Sequence, residues 1–164
     1  PTGYIVRKNV PIGDWRNSNR TVPMMRLGEI YLDYAEALNE YDPGNADILK
    51  YLNLIRERAG IPEYGSESLA APGSQEAMRD AIRKERRVEL AFESVRYFDA
   101  RRWKTAEDDF SGPFHGLDIN ARNEEDFYNV VVFENRVFEE KHYLWPIPQD
   151  EINSNSKLIQ NPGW

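Results

Sequence analysis

Residues 26–40 have the sequence RLGEIYLDYAEALNE, in which apolar side chains recur at the spacing of an α-helix. Leu27 and Ile30 begin a stripe that continues every three or four residues to Tyr41, and acidic side chains fill the opposite side. The pattern predicts a long amphipathic helix. Residues 42–44, Asp-Pro-Gly, are predicted to end it, because proline and glycine both interrupt helices.

A second helix is predicted after a very short connection. Asn45 is suited to cap its first amide groups, apolar residues from Ile48 to Ala59 form a stripe, and Gly60 ends it. Two helices joined so closely pack as an antiparallel hairpin. The unit at 24–59 is close in length to the 34-residue period of the tetratricopeptide repeat. We therefore predict a tetratricopeptide-like helical hairpin, whose apolar face needs a further element to cover it.

A third long helix is predicted to begin after Ser74, an N-cap candidate, and to run to about Arg102. It carries glutamates at positions 85, 89 and 93, a spacing of four at which like charges repel one another. Residues 83–104 hold eight basic against four acidic side chains, so cations are available to offset this repulsion. The acidic stripe of the first helix is also available to face this basic helix.

The remaining sequence predicts loops and a short β-hairpin. Residues 127–133 are β-branched and aromatic, Glu134-Asn135 is a candidate tight turn, and residues 136–139 can pair back on the strand. From residue 143 onward three prolines favour an extended strap across the surface. Six side chains are its predicted apolar anchors: Leu144, Trp145, Ile147, Ile152, Leu158 and Trp164.

Composition excludes several classes of protein. The chain has 21 basic and 28 acidic side chains, a net charge of −7, which argues against a nucleic-acid partner because phosphate binding needs a clustered basic face. It has no cysteine, and hence no disulfide or thiol nucleophile. The glycine-rich phosphate-binding motifs of nucleotide enzymes are absent, so no cofactor is predicted.

Two rows of helix carboxylates allow a catalytic hypothesis, since a glycosidase needs a pair of carboxyl groups. A charged outer face explains the row at 29–40, and ion pairing with Arg86, Arg87 or Arg96 explains the row at 85–93. His115 and His142 lack the Glu-x-x-His context of a carboxylate-bridged metal site. We therefore expect a helical binding module with no catalytic residue and no metal site.

Two loops are candidate ligand sites. The first places a flat apolar ring beside hydrogen-bonding groups on an irregular segment, a combination that can hold a sugar by stacking and through its hydroxyls. Its residues are Asp14, Trp15, Arg16 and Asn17. The alternative is that this tryptophan only attaches the loop to the body of the protein. The second candidate is the loop at 106–123, which contains Phe110 and Phe114.

Four segments carry a resemblance to a known family. They are RLGEIYLDYAEALNE at 26–40, YLNLIRERAGIP at 51–62, IRKERRVELAFESVRYFDARRW at 82–103 and YLWPIPQDEINSNSKLIQNPGW at 143–164. Together they resemble the carboxy-terminal portion of the SusD/RagB family of glycan- and nutrient-binding outer-membrane lipoproteins of Bacteroidetes. The last segment resembles the closing motif of that family.

The resemblance implies a mostly α-helical fold: a tetratricopeptide-like helical hairpin plus a third long helix, with long irregular loops and a short β-hairpin. Residues 1–164 would form the carboxy-terminal domain of a larger protein whose N-terminal part, with its lipid anchor, is absent. Within this fold we expect a partly buried ion-pair network that fixes helix packing. Its predicted members are Glu85, Arg86, Glu89, Glu93 and Arg96.

The resemblance also implies a function. It predicts a protein on the surface of the outer membrane that binds an oligosaccharide ligand and covers a SusC-like TonB-dependent transporter, without catalysis. Ligand residues vary within the family, so none is assigned from it. The alternative is a tetratricopeptide-like adaptor that binds proteins through peptides, and an enzyme that uses the helix carboxylates is the third hypothesis.

Overall fold

The computed structural model describes residues 2–8 and 23–164, so the predicted ligand loop at 14–17 lies outside the described residues. The described part is mostly helical, with one two-stranded antiparallel sheet, and the predicted fold class is confirmed. The chain divides into two compact units. We call Arg7–Arg96 the helical unit, and Pro1–Val6 with Tyr97–Trp164 the mixed unit.

The predicted hairpin forms the first half of the helical unit. Helix α1 spans Leu27–Tyr41 and α2 spans Ala46–Ala59. The side chain of Asn45 accepts a hydrogen bond from the Asp47 amide at 3.0 Å and caps α2 as predicted. Gly60 ends α2 with φ +70°, a left-handed conformation that glycine adopts without steric cost.

Helix α3, Gln75–Glu89, packs against both helices of the hairpin. Ser74 caps it by accepting a hydrogen bond from the Ala77 amide at 3.1 Å. The three apolar faces enclose one core, because each helix buries the stripe that its sequence period defines. Its buried members are Leu32, Ala35, Ile48, Leu52, Ile55, Met78, Ile82 and Leu90.

The third helix stops earlier than the sequence predicts. It ends at Glu89, and a separate helix, α4, spans Arg96–Arg102. Between them Phe92 and Ser94 have φ values of +63° and +64°, which a right-handed helix cannot include. The apolar and basic pattern continues through this turn, so periodicity alone could not reveal the break.

The mixed unit is built from short elements. After α4 these are α5 (Ala106–Phe110), β1 (Gly112–Leu117), α6 (Glu124–Phe127), β2 (Val130–Arg136), a 3₁₀ helix (Glu140–Tyr143) and α7 (Gln149–Ser154). Strands β1 and β2 are antiparallel, with Gly112 opposite Arg136 and Leu117 opposite Val130. Within the described residues, each helix is too short or too polar to cross a membrane.

The predicted turn of the β-hairpin is wrong. Glu134 and Asn135 lie inside β2, and the strand pairs with 112–117, which the sequence pattern had assigned to a loop. Residues 136–139 do not pair back on the strand. The error is physical in origin, because β1 contains two glycines and a proline and has low intrinsic strand propensity. Gly116 is needed there, since a Cβ atom would lie 2.8 Å from the carbonyl oxygen of Thr2.

Candidate functional site

Two clusters of side chains are candidate sites, and the first is the charged cluster of the helical unit. Arg26, just before α1, donates from Nε and Nη2 to the two carboxylate oxygens of Glu93, both at 2.7 Å. Its Nη1 donates to Glu89 Oε1 at 2.5 Å. Arg58 donates to both oxygens of Glu89 at 2.5 and 2.6 Å. Arg26 therefore joins the start of α1 to the end of α3 and the turn that follows.

Lys8 binds the same cluster from a distant part of the sequence. Its ammonium donates to the carbonyl oxygens of Glu89 and Ala91 at 2.7 and 2.8 Å and lies 2.5 Å from Glu93 Oε1. The Arg26 guanidinium, with the Lys8 ammonium beside it, lowers the pKa of Glu93 to about 2. The hydrogen bonds to Glu93 and then to Glu89 raise the pKa of Arg26 above its usual range. Glu93 is thus a fixed anion, unsuited to be a general acid.

The other predicted members contact further partners. Glu85 pairs with Arg56 and accepts a hydrogen bond from the Tyr64 hydroxyl at 3.1 Å. Burial, followed by the charge of Glu85, raises the pKa of Tyr64. Arg86 is buried, and it pairs with Asp33 and with Glu36 on the acidic side of α1.

The described contacts bring the three glutamates to cations on other elements, which the sequence did not pair with them. These cations are Lys8, Arg26, Arg56 and Arg58. Arg96 is the first residue of α4. Gly28 makes room for Arg26, because a Cβ built at Gly28 would lie 2.7 Å from Arg26 Nη1. That the cluster fixes the packing of the helices stays a prediction.

The second cluster is an aromatic surface in the mixed unit, formed by Tyr97, Phe98, Phe110 and Trp145. Ring centroids of the other three lie 5.7, 5.7 and 6.1 Å from that of Tyr97. The guanidinium carbon of Arg101 lies 5.1 Å from the centroid of Tyr97 and 4.8 Å from that of Trp145. Such cation–π contacts hold an exposed ring in one orientation.

Trp145 is the most exposed ring of this surface, at 63%. Asn161 donates to its carbonyl oxygen at 2.6 Å, and Pro146 after it favours an extended backbone. A large ring that is fixed by its neighbours and still exposed can stack on the C–H face of a sugar with little loss of conformational entropy. The sequence predicts Trp145 to be an apolar anchor of the strap. Ile147, Ile152 and Leu158 are half-buried, whereas Leu144, Trp145 and Trp164 are exposed.

A groove of about 580 Å³, which we call the tail groove, lies in the same unit. One wall contains the 3₁₀ helix and the other contains Pro162 and Gly163. Trp164 holds the second wall in place, because its indole N–H donates to the Lys141 carbonyl oxygen at 3.0 Å. Gly163 permits this approach, since a Cβ there would lie 2.8 Å from Lys141 Cβ. The lining residues are Lys104, Glu139, Glu140, Lys141, Tyr143, Leu144, Pro162 and Gly163.

The second predicted ligand loop, 106–123, contains α5 and β1. Phe110 stacks on Tyr97, and the guanidinium carbon of Arg136 lies 4.3 Å from the ring centroid of Phe114. Both phenylalanines are half-buried. Nδ1 of His142 accepts a hydrogen bond from the Glu139 amide at 2.8 Å. Across 2–8 and 23–164, no three His, Asp or Glu side chains are grouped so as to hold a metal ion.

Comparison with known proteins identifies the family. The model of the SusD family matches residues 1–164. The chain belongs to the SusD family. SusD-like protein P2 of Formosa agariphila is 34% identical over 156 residues, which cover 91% of this chain and 27% of that protein.

Solved SusD-family structures share the fold. A SusD-like protein from Bacteroides fragilis superposes with a TM-score of 0.76 at 34% identity, over 92% of this chain and 29% of its own. A candidate sugar binding protein from Bacteroides vulgatus gives a TM-score of 0.56 at 26% identity, over 90% of this chain and 30% of its own. The chain spans about a quarter of the length of the curated relatives it matches. SusD-like proteins are known as glycan-binding outer-membrane lipoproteins.

Proposed function

We propose that this protein is a glycan- and nutrient-binding component of an outer-membrane polysaccharide uptake system. Membership of the SusD family is the observation that carries the proposal. In this role it captures an oligosaccharide at the cell surface, where a lipid anchor holds it, and delivers the sugar to a SusC-like TonB-dependent transporter. The protein performs no catalysis.

The geometry of the mixed unit supports a sugar ligand. Protein sites for sugars combine an aromatic face, which packs on the C–H groups of the ring, with side chains that hydrogen-bond its hydroxyls. The aromatic surface supplies fixed rings, and the tail groove supplies lysine and glutamate side chains. The loop of Asp14, Trp15, Arg16 and Asn17 is a further proposed ligand contact, which rests on its sequence alone.

The charged cluster of the helical unit supports a non-catalytic role. A glycosidase needs one carboxylic acid whose pKa is raised, so that it is protonated near neutral pH. Glu93 has its pKa lowered to about 2, and Glu89 is bound by two arginines. These carboxylates hold cations, which suits a structural role.

The proposal is tested by binding measurements on the full-length protein. Affinity gel electrophoresis and calorimetry with amylopectin, laminarin, xylan, galactomannan, alginate and polygalacturonate should reveal a retained glycan, with no release of reducing ends. Purification from native outer membranes should bring down a large β-barrel transporter. Binding to a peptide library, with no glycan retained, would favour the adaptor instead, and release of reducing ends would favour an enzyme.

A further inference from the structure

Lys104 occupies a backbone position that glycine normally fills. It has φ +59° and follows α4, where its amide donates to the Arg101 carbonyl at 3.2 Å. The next amide, of Thr105, donates to the Ala100 carbonyl at 2.9 Å. These two bonds define a Schellman motif with Lys104 at its left-handed residue. A side chain with a Cβ atom is disfavoured there.

The same chain uses glycine for the same motif elsewhere. At the end of α2, Gly60 donates to the Glu57 carbonyl at 3.0 Å, and Ile61 donates to the Arg56 carbonyl at 3.1 Å. Gly60 has φ +70°. A lysine in place of glycine at the end of α4 therefore carries a conformational cost that the helix end itself does not require. Non-glycine residues in this region persist where the surrounding structure holds them there, and they concentrate at functional sites.

The side chain of Lys104 lines the tail groove. Its ammonium lies 4.1 Å from the ring centroid of Tyr143, which lines the same groove. The contact holds the ammonium at the groove wall, where its N–H groups can donate. The groove is walled by backbone that the Trp164 indole fixes, so a ligand would meet a formed site.

The charges that line the groove indicate the class of ligand. Its charges balance: Lys141 pairs with Glu139 at 2.8 Å, and Lys104 and Glu140 also carry opposite charges. A polyanion would be repelled by the carboxylates, whereas a neutral hydroxyl can accept from a lysine and donate to a glutamate at once. The balance favours an uncharged saccharide over a uronate or a sulfated sugar.

We propose that the tail groove binds an uncharged saccharide and that Lys104 is a ligand-binding residue, donating a hydrogen bond to a sugar hydroxyl. This inference rests on the proposed function and names the substrate class. It assigns the groove between Lys104, the 3₁₀ helix and Gly163 as the place where a neutral sugar is held.

The test is Lys104→Gly in the full-length protein, because glycine suits the backbone at this position. The melting temperature should stay unchanged or rise, while affinity for whichever neutral glycan of the panel binds should fall about tenfold, the loss of one charged hydrogen bond. Lys104→Met, which keeps an unbranched side chain and removes the ammonium, should lose as much. Ser94→Gly is the matched control, since Ser94 is also left-handed and does not line the groove.

The outcomes separate this inference from the proposed function. Affinity that both Lys104 variants retain overturns the groove site and leaves glycan capture standing. Retention of alginate or polygalacturonate alone, with no neutral glycan bound, overturns the substrate class. Absence of glycan binding by the unaltered protein removes the proposed function and this inference with it.

Discussion

Replacement of Glu89 by alanine tests the charged cluster most directly. The Glu89 side chain is 11% exposed and accepts from Arg26, which is 23% exposed, and from Arg58, which is 61% exposed. The Arg58 arm should contribute under about 1 kcal/mol because its charge stays largely in water. The Arg26 arm is one charge-assisted hydrogen bond, about 1.5–3 kcal/mol. We expect Glu89→Ala to lower the free energy of unfolding by about 2–4 kcal/mol in total. This is at or below the usual cost of leaving a buried charge without its partner, because Arg26 keeps both bonds to Glu93.

The measurement is urea and thermal unfolding of the full-length protein, followed by circular dichroism, together with glycan affinity. Glu89→Ala should lower stability and leave a measured ligand affinity intact below the unfolding transition. Arg58→Ala is the control and should cost under about 1 kcal/mol. Loss of binding at an unchanged melting temperature would make Glu89 a ligand contact and refute the structural assignment. If Glu89→Ala and Arg58→Ala destabilise the protein equally, the Glu89–Arg26 pair is not the stronger of the two interactions.

Three further predictions concern the same cluster and the candidate loop. Gly28→Ala gains about 1 kcal/mol of helix propensity but displaces Arg26, whose Nη1 would lie 2.7 Å from the new Cβ. It should destabilise by about 1 kcal/mol alone and stabilise in an Arg26→Ala background, where no guanidinium is displaced, and additive effects in unfolding experiments would contradict the clash. Glu93 has a folded pKa of about 2, below the usual 4.5, so its contribution is present above pH 4.5 and is lost as the pH falls towards 2. In Glu93→Gln the melting temperature should therefore change less between pH 4.5 and pH 2 than in the unaltered protein. Curves of melting temperature against pH that run parallel for the two proteins would contradict this prediction. Trp15→Ala should weaken oligosaccharide binding at least about tenfold, and unaltered affinity would remove that loop as a contact.

Local signals predicted the helical hairpin well. Each signal that sets the bounds of the two helices depends only on neighbouring residues. These signals are the apolar period of α1, the Asn45 cap and the left-handed Gly60. The break after α3 was missed because Phe92 and Ser94 adopt left-handed conformations that their residue types do not predict. Tertiary contacts decide such positions.

Long-range partners were the main source of error. The strand propensity of β2 was visible, but its partner at 112–117 lies across a connection that contains α6. In the same way, Lys8 and Arg26 meet Glu93 from more than sixty positions away in sequence. A pattern along the chain gives the charge of a residue but not which opposite charge it meets. Trp145 was recognised as apolar, and only the structure gave its exposure.

The attachment of Lys8 and Arg26 to one carboxylate has a consequence for how the protein can change. Both ends of the intervening chain are fastened at Glu93, 2.5 Å away for Lys8 and 2.7 Å for Arg26. Loss of Glu93 alone would weaken both attachments at once, since the two cations share its carboxylate. We therefore expect these three positions to be coupled, so that evolution changes them together.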